Sequence, residues 1–361
     1  MRRRDVIAAL AAGAAAAPFG AVGAEPNTSP FAIDTLTFEG PDFDARKALA
    51  AGMTGGFMDL RAFPRIQPVA RAELQHWAEA AATPGVAIRL VRSASDFEAA
   101  RAAGQFAVVL DCQDAAILEQ PGDDEAARLK VLQEFYDLGL RGLQLTYNDR
   151  NDIGSGYWED TQVPLSLYGR HLVEAMNKIG MLIDVSHCDE MTTLDTVRHS
   201  SRPIAVTHAG CLALDANPRN KSDTVIRALA DRGGYFGVFN MSLWLTSART
   251  SSVATVADHI DHVAKIGGVD LVGFGSDHGV FGEPLPDETW VVKMRAWAAQ
   301  NAARGRLVGD PPTGHVYAAD LNGPDRLQRL ASELRRRGYR QDAIDKVLGL
   351  NFIRVFRGAC G

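Results

Sequence analysis

The sequence predicts an α/β fold, a (β/α)8 TIM barrel. Eight short and nearly continuous apolar runs alternate with amphipathic helical stretches over most of the chain. Such runs are typical of strands buried on both faces of a parallel sheet, and eight strands separated by helices is the count of this barrel. A doubly wound open sheet is the competing fold, but the chain has no Gly-x-Gly-x-x-Gly turn to favour it.

The predicted elements follow one another in a regular order. The strands are FAIDTL, GGFMDL, FAVVLDCQ, GLQLTY, MLIDVSH, PIAVTH, YFGVFN and LVGFGSD. The helices are PDFDARKALAAG, RAELQHWAEAA, SASDFEAARAAG, DDEAARLKVLQEFYDLG, YGRHLVEAMNKIG, DEMTTLDTVRHS, SDTVIRALADRG and VATVADHIDHVAKIG. Several helices begin at Ser or Asp and stop at Gly, the residue types preferred at these two ends. After residue 277, two closing helices are expected, at 326–337 and 341–354.

The first 24 residues predict an export signal. Arg2, Arg3 and Arg4 precede an Ala-rich apolar run that is shorter than the ~20 residues of a membrane span. Small residues at 22–24 then offer a cleavage site. Twin arginines before such a run are typical of the twin-arginine pathway and predict a periplasmic or secreted protein; a frayed basic terminus is the alternative. We expect one barrel domain over residues 25–361.

The net charge narrows the possible partners. A net charge of -6 and a pI near 5.9 argue against a nucleic-acid or anionic-membrane partner. A small-molecule substrate is therefore expected.

Four cysteines in 361 residues are too few for a disulfide framework. Cys188 and Cys211 could form one bridge, but buried free thiols are the favoured interpretation.

Polar residues at the ends of the predicted strands indicate a metal site. Active sites of these barrels lie at the C-terminal ends of the strands, and two successive strands end in His187 and His208. Two neutral imidazoles with a carboxylate suit a zinc ion that keeps an open position for water. Asp277, which follows the last strand, is expected to transfer a proton. Structural histidines are the alternative.

Five stretches of the sequence, in a fixed order, resemble one family. They are LGLRGLQLTYND, GRHLVEAMNKIGMLIDVSHCDEMT, PIAVTHAG, NPRNKSD and VADHIDHVAKIGGVDLVGFGSD. Over about 138–277, and more weakly in LGLNFIRVF, the chain is similar to the membrane (renal) dipeptidase family of barrel metallopeptidases. The resemblance implies a TIM barrel of the metal-dependent hydrolase type that cleaves dipeptides or related amides by metal-activated water. It also implies two zinc ions and a homodimer.

The resemblance gives roles to individual residues. His187 and His208 correspond to the two histidines on one zinc ion. Arg219 matches an arginine that holds the substrate carboxylate, which suits a planar guanidinium; a surface salt bridge is the alternative. Asp277 matches the aspartate that transfers the proton. Tyr147, in LTYN, stands where many members have a substrate-contacting histidine, and would offer a hydroxyl contact instead.

The first half of the chain departs from the family pattern. Family members carry Asp-Gly-His-x-Asp in the first strand, whose His and Asp bind the other zinc ion, whereas this chain has Leu36 and Phe38 there. The bridging glutamate aligns with Gln113, whose neutral amide is a poor zinc bridge. Asp111 or Asp114 could supply a substitute carboxylate. We therefore expect one zinc ion.

Two other functions remain open at this point. The barrel could have kept its pocket and lost its chemistry, and would then act as a periplasmic peptide-binding protein. It could also hydrolyse another amide or a lactone, because a fold does not fix the substrate. The residues predicted for the site are Asp277 as the catalytic group, Arg219, Tyr147 and Asn148 for substrate, and His187, His208 and Asp111 for the metal.

Overall fold

Parallel strands form the centre of the molecule in the computed structural model, which describes residues 30–60, 66–120, 122–248, 250–284, 287–303 and 316–361. The predicted export signal, residues 1–24, lies outside these ranges. The strands are β1 (Ile33–Phe38), β2 (Gly55–Asp59), β3 (Ile88–Leu90), β4 (Phe106–Asp111), β5 (Gly142–Gln144), β6 (Leu182–Asp184), β7 (Ala205–Ala209), β8 (Tyr235–Val238), β9 (Val272–Phe274) and β10 (His278–Gly279).

Helices separate most of the strands along the chain. The α-helices are α1 (Ala45–Ala50), α2 (Gln67–Ala82), α3 (Ser95–Ala102), α4 (Glu125–Leu138), α5 (Leu167–Ile179), α6 (Glu190–His199), α7 (Asp223–Asp231), α8 (Ser242–Leu245), α9 (Val253–Gly267), α10 (Glu288–Ala302), α11 (Arg326–Arg336), α12 (Gln341–Asp345) and α13 (Asn351–Cys360). Two 3-10 helices, Ala115–Leu118 and Ala319–Leu321, and a π-helical turn, Lys346–Leu350, complete the described elements.

The strands pair in parallel as two arrays, β10-β1-β2-β4-β3 and β5-β6-β7-β8-β9. Backbone hydrogen bonds join the arrays at both sides. The amide of Arg141 donates to the carbonyl of Leu110 and links β5 to β4, while the amide of Asp277 donates to the carbonyl of Leu36 and links the end of β9 to β1. The predicted α/β barrel is confirmed.

All eight predicted strands are present as β1, β2 and β4 to β9. Two further strands, β3 and β10, were not predicted. β3 has three residues and pairs with the first half of β4. The second half of the same edge of β4 bonds to the segment that begins β5. β10 has two residues and extends the pairing of β1. Both are too short to produce a pattern of apolar residues.

Capping residues set the ends of several helices as predicted. The side chains of Asp124, Asp189 and Ser222 accept hydrogen bonds from the amides three residues later, at the starts of α4, α6 and α7. Gly139 and Gly180 follow α4 and α5 with φ values of 120° and 83°, a region that favours glycine. These caps bring each chain segment back to the barrel at a defined residue.

The closing helices pack on the barrel. In α13, Phe352 lies 5.5 Å from Phe57 of β2 and Phe356 lies 5.5 Å from Phe97 of α3, both in edge-to-face arrangements. All four rings are buried. Edge-to-face pairs of this kind stabilise a core beyond the area they bury. The tail is therefore part of the barrel's packing, as the sequence predicted.

A buried ion pair joins α11 to the first strand. Nε of Arg326 donates to Oδ2 of Asp34 at 2.7 Å, and both side chains are fully buried. The guanidinium also donates to the carbonyls of Val280, Gly323 and Gly279. Nearly every donor of the buried cation is thus used, which is the condition under which a buried pair is tolerated.

All four cysteines are free thiols, three of them buried, so the possible bridge between Cys188 and Cys211 is not formed. Within the described ranges, no helix combines the length and the apolar character that crossing a membrane requires.

Candidate active site

Two histidines meet at the ends of β6 and β7. His187 follows β6 and His208 lies within β7, and their Nε2 atoms are 2.9 Å apart. Both side chains are buried, His208 completely. The parallel strands place both residues at the C-terminal ends, where barrel active sites lie. The structure therefore brings together the two histidines that the sequence singled out.

Hydrogen bonds at Nδ1 orient both imidazole rings. Nδ1 of His187 donates to Oδ1 of Asn148 at 2.7 Å. Nδ1 of His208 lies 2.8 Å from the hydroxyl of Thr207, which itself donates to Asp184 and so accepts from the ring. The Nε2 atoms of the two rings lie within hydrogen-bond distance of each other. Metal-binding histidines are held in the same way through their other nitrogen, which leaves Nε2 to face the ion.

Burial favours the neutral form of the second ring. Desolvation, together with the positive charges of Arg219 and Lys221, holds the pKa of His208 well below its usual value. A neutral imidazole is the form that binds a metal ion. The donor set therefore fits two ligands of one divalent ion. Among the described residues, no cluster of three or more histidine, cysteine or acidic side chains is arranged to hold a metal.

Asp111 occupies a different environment from the histidine pair. It is fully buried, and neither carboxylate oxygen has a hydrogen-bond partner among the described residues. A Cβ atom on Gly142 would lie 2.6 Å from its Oδ1 and 2.1 Å from the ring of Phe57. Burial, and then the charges of Asp184 and Asp59, raise its pKa well above the usual value. The metal-binding role of Asp111 stays a prediction.

Two of the positions that depart from the family pattern are apolar, and the possible substitute Asp114 is already engaged. Leu36 is fully buried, and Phe38 lines a cavity beside the histidines. The carboxylate of Asp114 accepts hydrogen bonds from the amides of Ala116 and Tyr147. These side chains do not fit the second zinc ion of the family.

Arg219 holds the ends of both histidine strands. Its guanidinium donates to the carbonyl of Ser186 at 2.7 Å and to that of His208 at 3.0 Å. The rings of Tyr157, Phe239 and Trp244 lie within 6 Å of the guanidinium carbon. Arg219 is fully buried, so the alternative of a surface salt bridge is wrong. Its Nε has no partner among the described residues.

Asp277 combines a left-handed backbone conformation with a raised side-chain pKa. Its φ is 62°, a left-handed value that no other described non-glycine residue adopts. Burial raises its pKa to about 7, although the charge of Arg219 acts in the opposite direction and those of Asp34 and Asp184 add to the rise. A carboxyl group with this pKa can both accept and release a proton near neutral pH.

A cavity of about 540 Å³ opens beside these groups. His187, Asp277, Asn148, Asp149 and Met241 line it, together with six aromatic residues: Phe38, Tyr147, Tyr157, Trp158, Trp244 and Tyr317. The Tyr147 ring stacks on that of His187, with centroids 4.4 Å apart and planes 17° apart. The sequence predicted Tyr147 and Asn148 here. It missed the residues that come from loops, for which it offered no periodic signal.

Comparison with known proteins decides the family. The family model described as "Membrane dipeptidase (Peptidase family M19)" matches residues 68–291. The chain belongs to the membrane dipeptidase family. Membership bears out both the resemblance and the prediction of a metallo-dipeptidase-like hydrolase. Membership implies a small-molecule substrate and a metal, but it does not show how many ions this chain binds.

The chain is also similar to individual proteins and to solved structures. The chain is 32% identical over 280 residues to an uncharacterized Klebsiella pneumoniae protein in the pqqA 5' region, covering 75% of this chain and 88% of that protein. It is 28% identical over 230 residues to Dipeptidase verJ of Clonostachys rogersoniana, covering 62% of this chain and 50% of that protein. An amidohydrolase from Pseudomonas aeruginosa superimposes with a TM-score of 0.76 at 23% identity, covering 92% and 97% of the two chains.

Proposed function

We propose that the protein hydrolyses dipeptides or closely related amides at a site that holds one divalent metal ion on His187 and His208. The facing Nε2 atoms support the proposal, because the Nδ1 contacts of the two rings with Asn148 and Thr207 turn both Nε2 atoms toward one buried place, where they lie 2.9 Å apart. Neutral, pre-oriented imidazoles are what a zinc ligand pair requires.

A bound divalent ion would polarise the substrate carbonyl and lower the pKa of a water molecule. Asp277 serves as the proton carrier of the site. Its pKa of about 7 allows the carboxylate to take up a proton and pass it to the leaving amine without a large driving force in either direction. Asp277 and His187 line the same cavity, so both groups can face one substrate.

Arg219 has two roles in this proposal. Its Nη1 and Nη2 atoms hold the carbonyls of Ser186 and His208, and they thereby orient the two histidines. Its Nε remains as a buried donor without a partner, which supports recognition of the substrate carboxylate. Tyr147 and Asn148 complete the proposed contacts to the substrate.

Metal content and hydrolysis test the proposal together. We expect one ion per chain after purification without chelator, and cleavage of dipeptides that EDTA abolishes. His208→Ala should lose the ion and at least about a hundredfold in kcat/KM, a typical loss for removal of a catalytic group. His76→Ala is the matched control, since His76 is half exposed on α2. Two ions per chain, or turnover that is the same in His208→Ala, would contradict the proposal. Peptide binding without turnover would favour the peptide-binding alternative.

We also propose that the ion is zinc and that residues 1–24 direct export. Residues 25–361 then form one barrel domain, and two chains form a homodimer. Expression with the N-terminal segment should give a shortened periplasmic form, whereas replacement of Arg3 and Arg4 by Lys should retain the full-length chain in the cytoplasm. Gel filtration of the shortened form should give twice the mass of one chain.

A further inference from the structure

The cavity beside His187 is unusually rich in aromatic side chains. Aromatic residues make up 7% of the chain, yet they supply six of the eleven residues around this cavity. They come from separate segments: the end of β1, the loop after β5, the helix after β8 and the segment after residue 316. The fold thus brings rings that are distant in sequence to one small volume.

Three of these rings already have a structural task. Tyr147 stacks on His187, while Tyr157 and Trp244 lie against the guanidinium of Arg219 and meet each other edge to face at 6.4 Å. They fix the histidine and the arginine described above. These contacts do not involve Phe38, whereas Trp158 packs beside Tyr157 with ring centroids 5.7 Å apart.

Phe38 and Trp158 also contribute rings to the lining of the cavity. Phe38 is the last residue of β1 and is only partly buried, although it faces a cavity that also holds the polar groups of Asp277 and His187. An apolar ring in this place offers no hydrogen bond to a peptide backbone. It does offer a flat surface of about the size that a phenyl or indole group covers.

We infer that the substrate carries an aromatic side chain that packs against Phe38 and Trp158. The inference rests on the proposed function and names the substrate class of that site: a dipeptide, or related amide, with a phenylalanine-, tyrosine- or tryptophan-like group. A cavity of about 540 Å³ is in the range that small-molecule sites occupy and can hold a dipeptide with one ring. An aliphatic side chain of similar size would lose the ring-to-ring contacts.

Binding is measured first with probes that cannot be hydrolysed as dipeptides. N-acetyl-phenylalanine amide and N-acetyl-leucine amide have similar size, and only the first carries a ring; N-acetyl-lysine amide tests whether the aromatic walls instead select a cation. Tryptophan fluorescence is a suitable readout because Trp158 and Trp244 line the cavity. We expect the phenylalanine probe to bind about tenfold more tightly than either of the others.

Variants of Phe38 test the residue directly. Phe38→Leu keeps an apolar side chain and removes the ring, so the preference for the phenylalanine probe should fall about threefold or more. Phe38→Tyr keeps the ring and should retain the preference. Tyr136→Leu is the matched control, because Tyr136 lies on α4 against Arg141 and outside this cavity. A circular dichroism spectrum equal to wild type shows that each variant is folded.

The outcomes separate this inference from the proposed function. Equal or tighter binding of the leucine or lysine probe, or an unchanged preference in Phe38→Leu, overturns the aromatic preference. In the same preparation, the kcat/KM values for Ala-Phe and Ala-Leu are compared. Cleavage of both at equal rates leaves the dipeptidase function standing and removes the inference. Selective binding of the phenylalanine probe with no cleavage of either dipeptide leaves the aromatic preference standing and contradicts the dipeptidase function.

Discussion

Replacing Asp277 with asparagine should make the protein more stable at pH 8 and inactive. The carboxyl group has an ordinary pKa of 3.8 that burial raises to about 7 in the folded protein. Because the folded pKa is raised, the folded state keeps a proton that the unfolded state releases between about pH 4 and pH 7. The wild-type protein therefore loses stability as the pH rises through this window, and the loss is complete above it.

The size of the effect follows from the same shift. A difference of about three pKa units corresponds to about 4 kcal/mol. The side chain is partly exposed in the cavity, and solvent screening reduces this value, so we expect a gain of about 2 kcal/mol for Asp277→Asn at pH 8.

Urea unfolding at pH 4 and pH 8, with EDTA to exclude bound metal, measures this prediction. Asp277→Asn should be more stable than wild type at pH 8 and nearly equal to it at pH 4, where both side chains are neutral. Asp160→Asn is the control, because Asp160 is exposed and should change neither value. Equal or lower stability of Asp277→Asn at pH 8, or the same gain at both pH values, would refute the reasoning.

Three further predictions use other parts of the structure. Arg326→Met leaves Asp34 buried without its cation and should lower the free energy of unfolding in urea by about 3–5 kcal/mol. Adding Asp34→Asn to this variant should recover part of the loss. An unchanged unfolding midpoint in Arg326→Met would contradict the prediction. Arg219→Lys cannot bond the carbonyls of Ser186 and His208 in the same way and should cost about 1–3 kcal/mol and lower metal content. A thiol reagent should find four free thiols in the denatured chain and at most one in the native protein; fewer than four would indicate a disulfide.

The sequence predicted the barrel because its strands are buried on both faces. The runs that became β4 and β8 are continuously apolar, and such runs leave little choice between strand and loop. β3 was missed for the opposite reason. It has three residues, Ile88–Leu90, and two of them are only partly buried, so its formation depends on pairing with β4 rather than on its own pattern.

The candidate site was predictable where it lies on strands and not where it lies on loops. His187 and His208 follow directly from the register of two neighbouring strands, and the structure brings them to 2.9 Å. Tyr157, Trp158 and Tyr317 reach the cavity from irregular segments whose paths depend on contacts distant in sequence. A sequence pattern cannot position such residues, because no periodicity links a loop residue to the space it fills.

The pair between Asp34 and Arg326 has a consequence for how the chain is made. Its two members are separated by 292 residues, so at roughly 5–20 residues per second the ribosome delivers the arginine roughly 15–60 seconds after the aspartate. During that interval β1 carries a carboxylate designed for a dry interior without the cation that accompanies it there. The complete set of partners that the Asp34 carboxylate has in the folded barrel is therefore available only after Arg326 has been made, late in synthesis of the chain.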